Sequence, residues 1–399
     1  MEELKEGWKI YKLKDIINMK TGKLNSNAQE NNGKYPFYTC APNPLKINTY
    51  AYNENAILLA GNNANGVFHI NKYNGKFNAY QRTYIITEER RKNNLDFIYY
   101  CLQLKLNYFK EISQGSATKF LTKKMLDDIE IELPPLETQE KIASILSALD
   151  DKIEINNEMN KTLEEMAQTL FKRWFIDFDF PNENGEPYKS SGGKMVDSEL
   201  GEIPEGWRVG NLEDLGSIMS GGTPSKSKDE YYTTNGIPWI TPKDLSINKN
   251  KFIKKGALDI TKEGLNKSSA RFLPKGTVLF SSRAPIGYLA IAEIDVTTNQ
   301  GFKSIVPKNF EYTEFIYQLL KEITPYIESV AGGSTFKEIS SQGMKSINII
   351  IPLELFLKKF YQITNSFNKR IQSLEKEIQS LTEIRDILLP KLMSGEVEV

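Results

Sequence analysis

Side-chain amides, guanidiniums, small hydroxyls and lysines recur in turn-rich stretches of this 399-residue chain. The first third carries Asn62-Asn63-x-Asn65-Gly66, Lys72-Tyr73-Asn74, Tyr80-Gln81-Arg82 and Gly115-Ser116-x-x-Lys119. The second half carries Ser220-Gly221-Gly222-Thr223-Pro224-Ser225-Lys226, Thr241-Pro242-Lys243, Ser281-Ser282-Arg283, Thr298-Asn299-Gln300 and Gly333-Ser334-Thr335-x-Lys337. Amides and guanidiniums can bond bidentately to purine edges, while hydroxyls, lysines and glycine-backed N–H groups suit phosphates. The candidate binding residues, suited to nucleic acid, are Asn62, Asn63, Lys72, Gln81, Arg82 and Lys119, with Thr223, Ser225, Lys226, Lys243, Ser282, Arg283, Asn299, Gln300 and Lys337. Any one cluster alone reads as an ordinary polar loop; it is their recurrence that points to binding.

Catalytic patterns are missing from the same sequence. Gly22-Lys23, Gly33-Lys34, Gly75-Lys76 and Gly193-Lys194 are followed by Leu, Tyr, Phe and Met, so none completes a nucleotide-triphosphate loop. No Gly-x-Gly-x-x-Gly cofactor loop and no Asp/Asn-Pro-Pro-aromatic segment occurs. The one histidine, His69, has no fixed partner in sequence and reads as structural. Asp177-Phe178-Asp179 offers two carboxylates, too few for a metal site, and reads as a solvated turn. Cys40 and Cys101 are too few and unpatterned for a disulfide framework or zinc site and read as reduced thiols. Neither a catalytic residue nor a metal ligand is expected.

The clusters need two scaffolds, and the chain repeats itself. Glu6-Gly7-Trp8-Lys9-Ile10-x-x-Leu13-x-Asp15-Ile16 returns as Glu205-Gly206-Trp207-Arg208-Val209-x-x-Leu212-x-Asp214-Leu215 at an offset of 199. Gly115-Ser116-x-x-Lys119-x-Leu121 and Ile129-x-Ile131-x-Leu133-Pro134 return as Gly333-Ser334-x-x-Lys337-x-Ile339 and Ile347-x-Ile349-x-Ile351-Pro352 at an offset of 218. The second copy thus holds a net 19 extra residues, the difference between the offsets. Similar edges around dissimilar interiors suggest one scaffold carrying two recognition surfaces.

A long helix follows each copy. Ile142, Leu146, Leu149, Ile153, Asn156, Asn160, Leu163, Ala167, Leu170 and Trp174 keep a heptad seam, matched by Phe360, Thr364, Phe367, Ile371, Leu374, Ile378, Leu381, Arg385 and Leu388. Pro134-Pro135 and Pro352 stop the preceding strand-like runs and open helices of roughly 35–40 residues. The first helix leads away from unit one and the second begins at unit two, so they can pair only antiparallel, as a rod with a globular unit at each end. Asn156 and Asn160 fall near its middle; they either fix register from a buried position or tilt to solvent.

Composition fits this plan. Hydrophobic content of 40% with 26% charged residues is that of a globular protein with real cores. The formal net charge of zero hides a segregation: residues 1–133 hold 19 basic against 14 acidic side chains and 204–351 hold 18 against 15, whereas 134–203 hold 7 against 15. Mildly basic heads suit nucleic acid, though so weak a bias equally describes a solvated surface. No apolar run approaches the ~18 residues of a membrane span, and Met1-Glu2-Glu3 is no signal peptide. A cytoplasmic location is expected.

Taken together these motifs resemble the DNA-specificity subunit of type I restriction-modification systems. The resemblance spans essentially the whole chain. It rests on Glu6-Gly7-Trp8, Ile203-Pro204-Glu205-Gly206-Trp207, Leu133-Pro134-Pro135-Leu136-x-x-Gln139-x-x-Ile142 and Leu170-Phe171-Lys172-x-Trp174-Phe175-x-Asp177-Phe178. Asp197-Ser198-x-Leu200-Gly201, Gly221-Gly222-Thr223-Pro224 and Ser282-Arg283-Ala284-Pro285-Ile286-Gly287 add to it. Unit one lacks counterparts of the last two, and the second helix opens without the usual Gln.

The resemblance implies an α+β fold in which two mixed α/β target-recognition domains (1–133 and 204–351) are joined by a long antiparallel coiled coil with pseudo-twofold symmetry. Its helical parts would be 134–180 and 352–399, with 181–203 as linker. Each domain would read one half of a bipartite, asymmetric site in double-stranded DNA, and the helices would space the halves and dock two methyltransferase subunits. Motor-nuclease subunits would complete the complex. The chain itself would hold no cofactor; S-adenosylmethionine, ATP and magnesium would belong to the partners. A self-contained enzyme or a coiled-coil adaptor without a DNA role are the competing classes.

Overall fold

A computed structural model describes residues 5–64, 66–88, 92–283, 285–333 and 337–399. It divides into two compact units, Met1–Ile155 with Ile378–Val399, and Asn156–Glu377. Each long helix, Leu136–Phe171 and Glu354–Met393, runs through a boundary and contributes one half to each unit.

Unit one is built on a six-stranded sheet in the order Ile17–Thr21, Thr83–Glu88, Tyr52–Ala60, Ile70–Ala79, Tyr35–Tyr38, Leu45–Ile47. Its central strands are buried on both faces, which is why they read as apolar runs rather than alternations. Ile57, Leu59 and Ile86 meet Phe97, Ile98 and Leu102 of the helix Leu95–Leu104, whereas Leu58, Ile85 and Phe77 form a second cluster with Tyr38.

Unit two repeats this layout. Gly216–Ser220, Lys303–Pro307, Val278–Ser282 and Ile286–Ala292 stand in the same order as the first four strands of unit one. Helix Thr313–Val330 buries Phe315, Ile316, Leu319 and Leu320 in that unit's main core. A second sheet of four strands, including Leu258–Ile260 and Ile237–Ile240, lies beside it.

The repeated sequence edges are repeated pairings. Lys9–Lys12 pairs antiparallel with Glu130–Leu133, Lys9 opposite Leu133; Arg208–Asn211 pairs antiparallel with Asn348–Ile351, Arg208 opposite Ile351. Both offsets, 199 and 218, are thus kept in one register. Gly7 (φ +83°) and Gly206 (φ +86°) adopt the left-handed conformation that favours glycine, against Pro135 and Leu353 respectively, which accounts for the repeated Glu-Gly-Trp. Trp207 then enters an aromatic cluster, stacked on Phe180 at 5.0 Å.

Within each unit the start of one long helix lies with the end of the other, so the helices run antiparallel. Ile142 and Leu146 share the core of unit one with Leu389 and Leu392, and Arg385 pairs with Asp150 at 2.8 Å. Phe171 and Trp174 share the core of unit two with Phe360 and Ile371. Gln139, buried, donates to the Pro134 carbonyl at 2.9 Å and accepts from the Asn94 backbone N–H at 2.9 Å, fixing the first helix to unit one. Leu357, buried in the unit-two core, stands at the corresponding place in the second helix. Asn156 does not tilt to solvent: it is fully buried, and its amide has no hydrogen-bond partner. Asn160 is half-buried, but its Oδ1 also has no hydrogen-bond partner. An unpaired buried amide costs stability, the signature of a polar seam residue kept for register.

Residues 181–203, polar in sequence, are pinned rather than loose. Tyr188 stacks on Phe180 at 4.6 Å, and Met195–Val196 pairs with Ile203–Pro204. Asp179 accepts from the Ser190 N–H at 2.8 Å and its hydroxyl at 2.7 Å, so the acidic pair at 177 and 179 does serve a turn.

A buried charge cluster anchors the second helix inside unit two. Lys251, fully buried, pairs with Glu314 at 2.8 Å, and Glu314 also accepts from Gln318 and Asn368 at 2.8 Å each. Glu375 of the helix accepts the Lys251 N–H at 2.8 Å, while burial pushes its carboxyl up to about 7 from an ordinary 4.5. A raised acid binds its proton more tightly in the folded state, so stability is present at low pH and is lost as pH rises from 4.5 through about 7. Glu375→Gln keeps an acceptor for the N–H without the charge. Urea denaturation of the full chain at pH 5 and pH 8 should show the variant losing less stability over that interval, by about 1–3 kcal/mol. Equal losses in the two proteins would contradict this assignment.

Candidate nucleic-acid interface

Loops at the same end of the sheet in each unit gather most of the polar clusters, through hydrogen bonds that repeat between the units. In unit one the Gly61 N–H donates to the Arg82 carbonyl at 2.8 Å, and Leu121 N–H to the Gly61 carbonyl at 2.9 Å. In unit two the Ser282 N–H donates to the Gly301 carbonyl at 2.8 Å, and Ile339 N–H to the Ser282 carbonyl at 3.1 Å. Tyr80 N–H to the Tyr38 carbonyl (2.9 Å) is matched by Asn299 N–H to the Ile240 carbonyl (3.0 Å). The bridges Asn62 to Phe120 and Gln114 to Phe120 are matched by Arg283 to Glu338 and Gly332 to Glu338. Gly22 and Gly221 close each cluster: a Cβ on either would collide with carbonyls of Ala79 and Tyr80, or of Thr298 and Asn299.

These equivalences locate the extra residues of unit two. The offset is 202 at Tyr38 and Ile240 and 221 at Gly61 and Ser282, so the insertion lies between them. It carries the helix Pro242–Ile247, the strands Phe252–Ile253 and Leu258–Ile260, and the helix Lys262–Asn266. Lys243 sits exposed on the first of these, whose start Thr241 and Asp244 cap.

Around the unit-one cluster stand Asn62, Asn63 and Lys119, brought together because Asn62–Asn63 pairs with Lys119–Phe120, and the exposed Gln81 and Arg82. The Cys40 thiol, which burial pushes up and so keeps protonated, donates to Asn62 Oδ1 at 2.8 Å. Around the unit-two cluster stand Thr223, Arg283, Asn299 and Gln300. Thr223 Oγ1 donates to Gln300 Oε1, leaving the amide nitrogen to donate outward, and Asn299 Oδ1 accepts the Gly301 N–H at 2.9 Å. Ser225 and Lys226 are exposed beyond Pro224, and Lys337, also exposed, donates to the Glu328 carbonyl at 3.1 Å.

Two of the candidate residues are used otherwise. Lys72 pairs with Asp96 at 3.0 Å and lies over the Tyr99 ring, against the helix side of the sheet and apart from the cluster. Ser282 is fully buried, and its hydroxyl donates to the Gly301 carbonyl at 3.1 Å, so it builds the loop instead of facing a ligand. Asn65, Ser334 and Thr335 lie outside the described residues. Sequence reasoning missed Gly22, Cys40, Trp239, whose indole N–H donates to the Gly222 carbonyl at 2.9 Å, and the pair Lys303 and Glu338. Aligning the two copies by position would have exposed Gly22, at the offset of 199 from Gly221.

Among the described residues no group of three or more His, Cys, Asp or Glu could hold a metal ion, and no helix is long and apolar enough to cross a membrane. What the clusters offer is hydrogen-bond donors and cations on two similar scaffolds.

Comparison with known proteins gives the family. The family model for the type I restriction modification DNA specificity domain matches residues 5–165 and 204–383. The HindI specificity subunit of Haemophilus influenzae is 30% identical over 344 residues, covering 73% of this chain and 74% of that protein. The EcoDI specificity subunit of Escherichia coli is 26% identical over 413 residues, covering 98% of this chain and 88% of that protein. The crystal structure of the S subunit from M. genitalium has the same fold, with a TM-score of 0.64 at 18% identity over 98% of this chain and 97% of that one. The chain belongs to the type I restriction-modification DNA-specificity subunits, whose work is the recognition of DNA sequence.

Proposed function

We propose that each globular part, 1–133 and 204–351, reads one half of a bipartite, asymmetric DNA site through its loop cluster. The long helices, within 134–180 and 352–399, hold the half-sites at a set spacing and dock two methyltransferase subunits; 181–203 links the first helix to the second globular part. Motor-nuclease subunits join that assembly in the cytoplasm. The chain catalyses nothing itself, and S-adenosylmethionine, ATP and magnesium act in its partners. The observation that carries this reading is the repeated loop cluster: one hydrogen-bond frame displays Asn62, Gln81, Arg82 and Lys119 in one unit and Arg283, Asn299, Gln300 and Lys337 in the other.

Guanidinium forks and lysine point charges should fail differently. Arg82→Ala or Arg283→Ala is expected to relax one base position, costing ~1–3 kcal/mol of discrimination if the fork reads a guanine. Lys226→Ala or Lys337→Ala should weaken binding to all sequences alike and lower the salt slope by about one unit. Binding of the assembled methyltransferase to cognate and scrambled duplexes across a salt series measures both. Equal loss on the two duplexes for all four variants would contradict the assignment.

A further inference from the structure

The position that Asn62 and Phe120 share in unit one is held in unit two by Arg283 and Glu338, and there the two side chains form an ion pair. We propose that Glu338 is a specificity-determining residue, which fixes the direction in which Arg283 meets a base edge. This rests on the reading that Arg283 contacts DNA.

The geometry is that of a clamp with one rigid side. Glu338 and Gly332 exchange backbone hydrogen bonds at 2.8 and 3.2 Å, and the next residue, Ile339, donates to the Ser282 carbonyl at 3.1 Å. The backbone that carries the carboxylate is thereby held from both sides. One carboxylate oxygen lies 3.6 Å from the Lys303 ammonium, whose side chain is 9% exposed; the other lies 3.4 Å from Arg283 Nη1. A nearly buried lysine thus holds the acid, and the acid holds the guanidinium by one nitrogen. Directly opposed residues of an antiparallel pair project from the same face, so the two side chains share one direction. The remaining N–H groups of the fork are left for an acceptor pair such as guanine O6 and N7. An arginine with no such support would lose more rotamer freedom on binding and could meet several base edges.

The test is methylated-sequence mapping in a host carrying the complete system with Arg283→Ala, Glu338→Gln, or Glu338→Gln combined with Lys303→Met. The double variant matters because Glu338→Gln alone leaves a buried ammonium without counter-charge and can destabilise the unit. Both Glu338 variants should broaden one half-site at a single base position, the position that Arg283→Ala broadens, with use of the alternative bases rising about tenfold; the other half-site should not change. If Arg283→Ala broadens that position while the Glu338 variants keep it narrow, the role of Glu338 is overturned and that of Arg283 stands. If Arg283→Ala leaves the half-site intact, the reading beneath the proposal fails instead. A uniform loss of modification with no broadening in the double variant would make Glu338 structural only, and would also overturn it.

Discussion

Seven residues added to both long helices should widen the unread gap between half-sites by about three base pairs and leave the half-sites themselves unchanged. A heptad keeps the apolar seam in phase, and at ~1.5 Å per residue it lengthens a helix by ~10 Å, against ~3.4 Å per base-pair step. The insertions belong between Ile155 and Asn156 and between Glu377 and Ile378, where the two units divide. Points only slightly inside unit two would damage it: Glu375 accepts the Lys251 N–H, and Asn156 is part of the buried seam. Seven residues in one helix alone should cause misassembly, because the antiparallel partner positions beyond the insertion would shift by two turns. The doubly extended chain also rotates one half-site by roughly 100° about the duplex, at ~10–10.5 base pairs per turn, which the assembly or the DNA must absorb. An active protein with an unchanged gap would remove the helices from the spacing of half-sites.

The parts of this molecule that follow a local rule were legible in its sequence. Seam positions such as Ile142, Leu146, Phe360 and Ile371 are buried as a heptad pattern demands, and the strands around Leu58, Ile85 and Phe280 are as buried as their apolar runs imply. Repeated edges were legible because each repeats at its own fixed offset, so that Lys9 to Leu133 and Arg208 to Ile351 close their units in the same register. The loop clusters were legible only by composition. Lys72 and Arg82 are both cations in polar stretches of sequence, and nothing local distinguishes them; only the fold shows that Lys72 lies on the strand Ile70–Ala79 and pairs with Asp96 of the neighbouring helix. Ser282 reads as a free hydroxyl until the Gly301 carbonyl is brought to it by chain 19 residues away. Glu338 escaped notice because a loop acid has no meaning until its charge partners, Arg283 across the bridge and Lys303, are known. Long-range pairing carries that information, and a gapped repeat hides it.

Exchanging residues 204–351 for the corresponding part of another specificity subunit should replace one half of the modified sequence and preserve the other. The exchange is feasible because its ends fall in repeated structure: the strand Arg208–Asn211 pairs with Asn348–Ile351 inside the exchanged part, and the chain leaves it at Pro352, where the second helix opens. The new part must still supply an acceptor like Glu314 for Asn368 and a backbone N–H like that of Lys251 for Glu375, and a junction at 204 must keep an indole like that of Trp207 against Phe178 and Phe180. Those contacts should set whether the hybrid folds; on the proposed reading, the loop cluster around Arg283, Asn299 and Gln300 sets what it reads. The central claim, that two loop clusters on one chain read two sequences independently, is tested most directly by mapping methylated bases in a host that carries the hybrid with its methyltransferase subunits. One half-site should take the donor's sequence while the other remains as in the parent, at the parental gap; a change in both halves, or in neither, would contradict it.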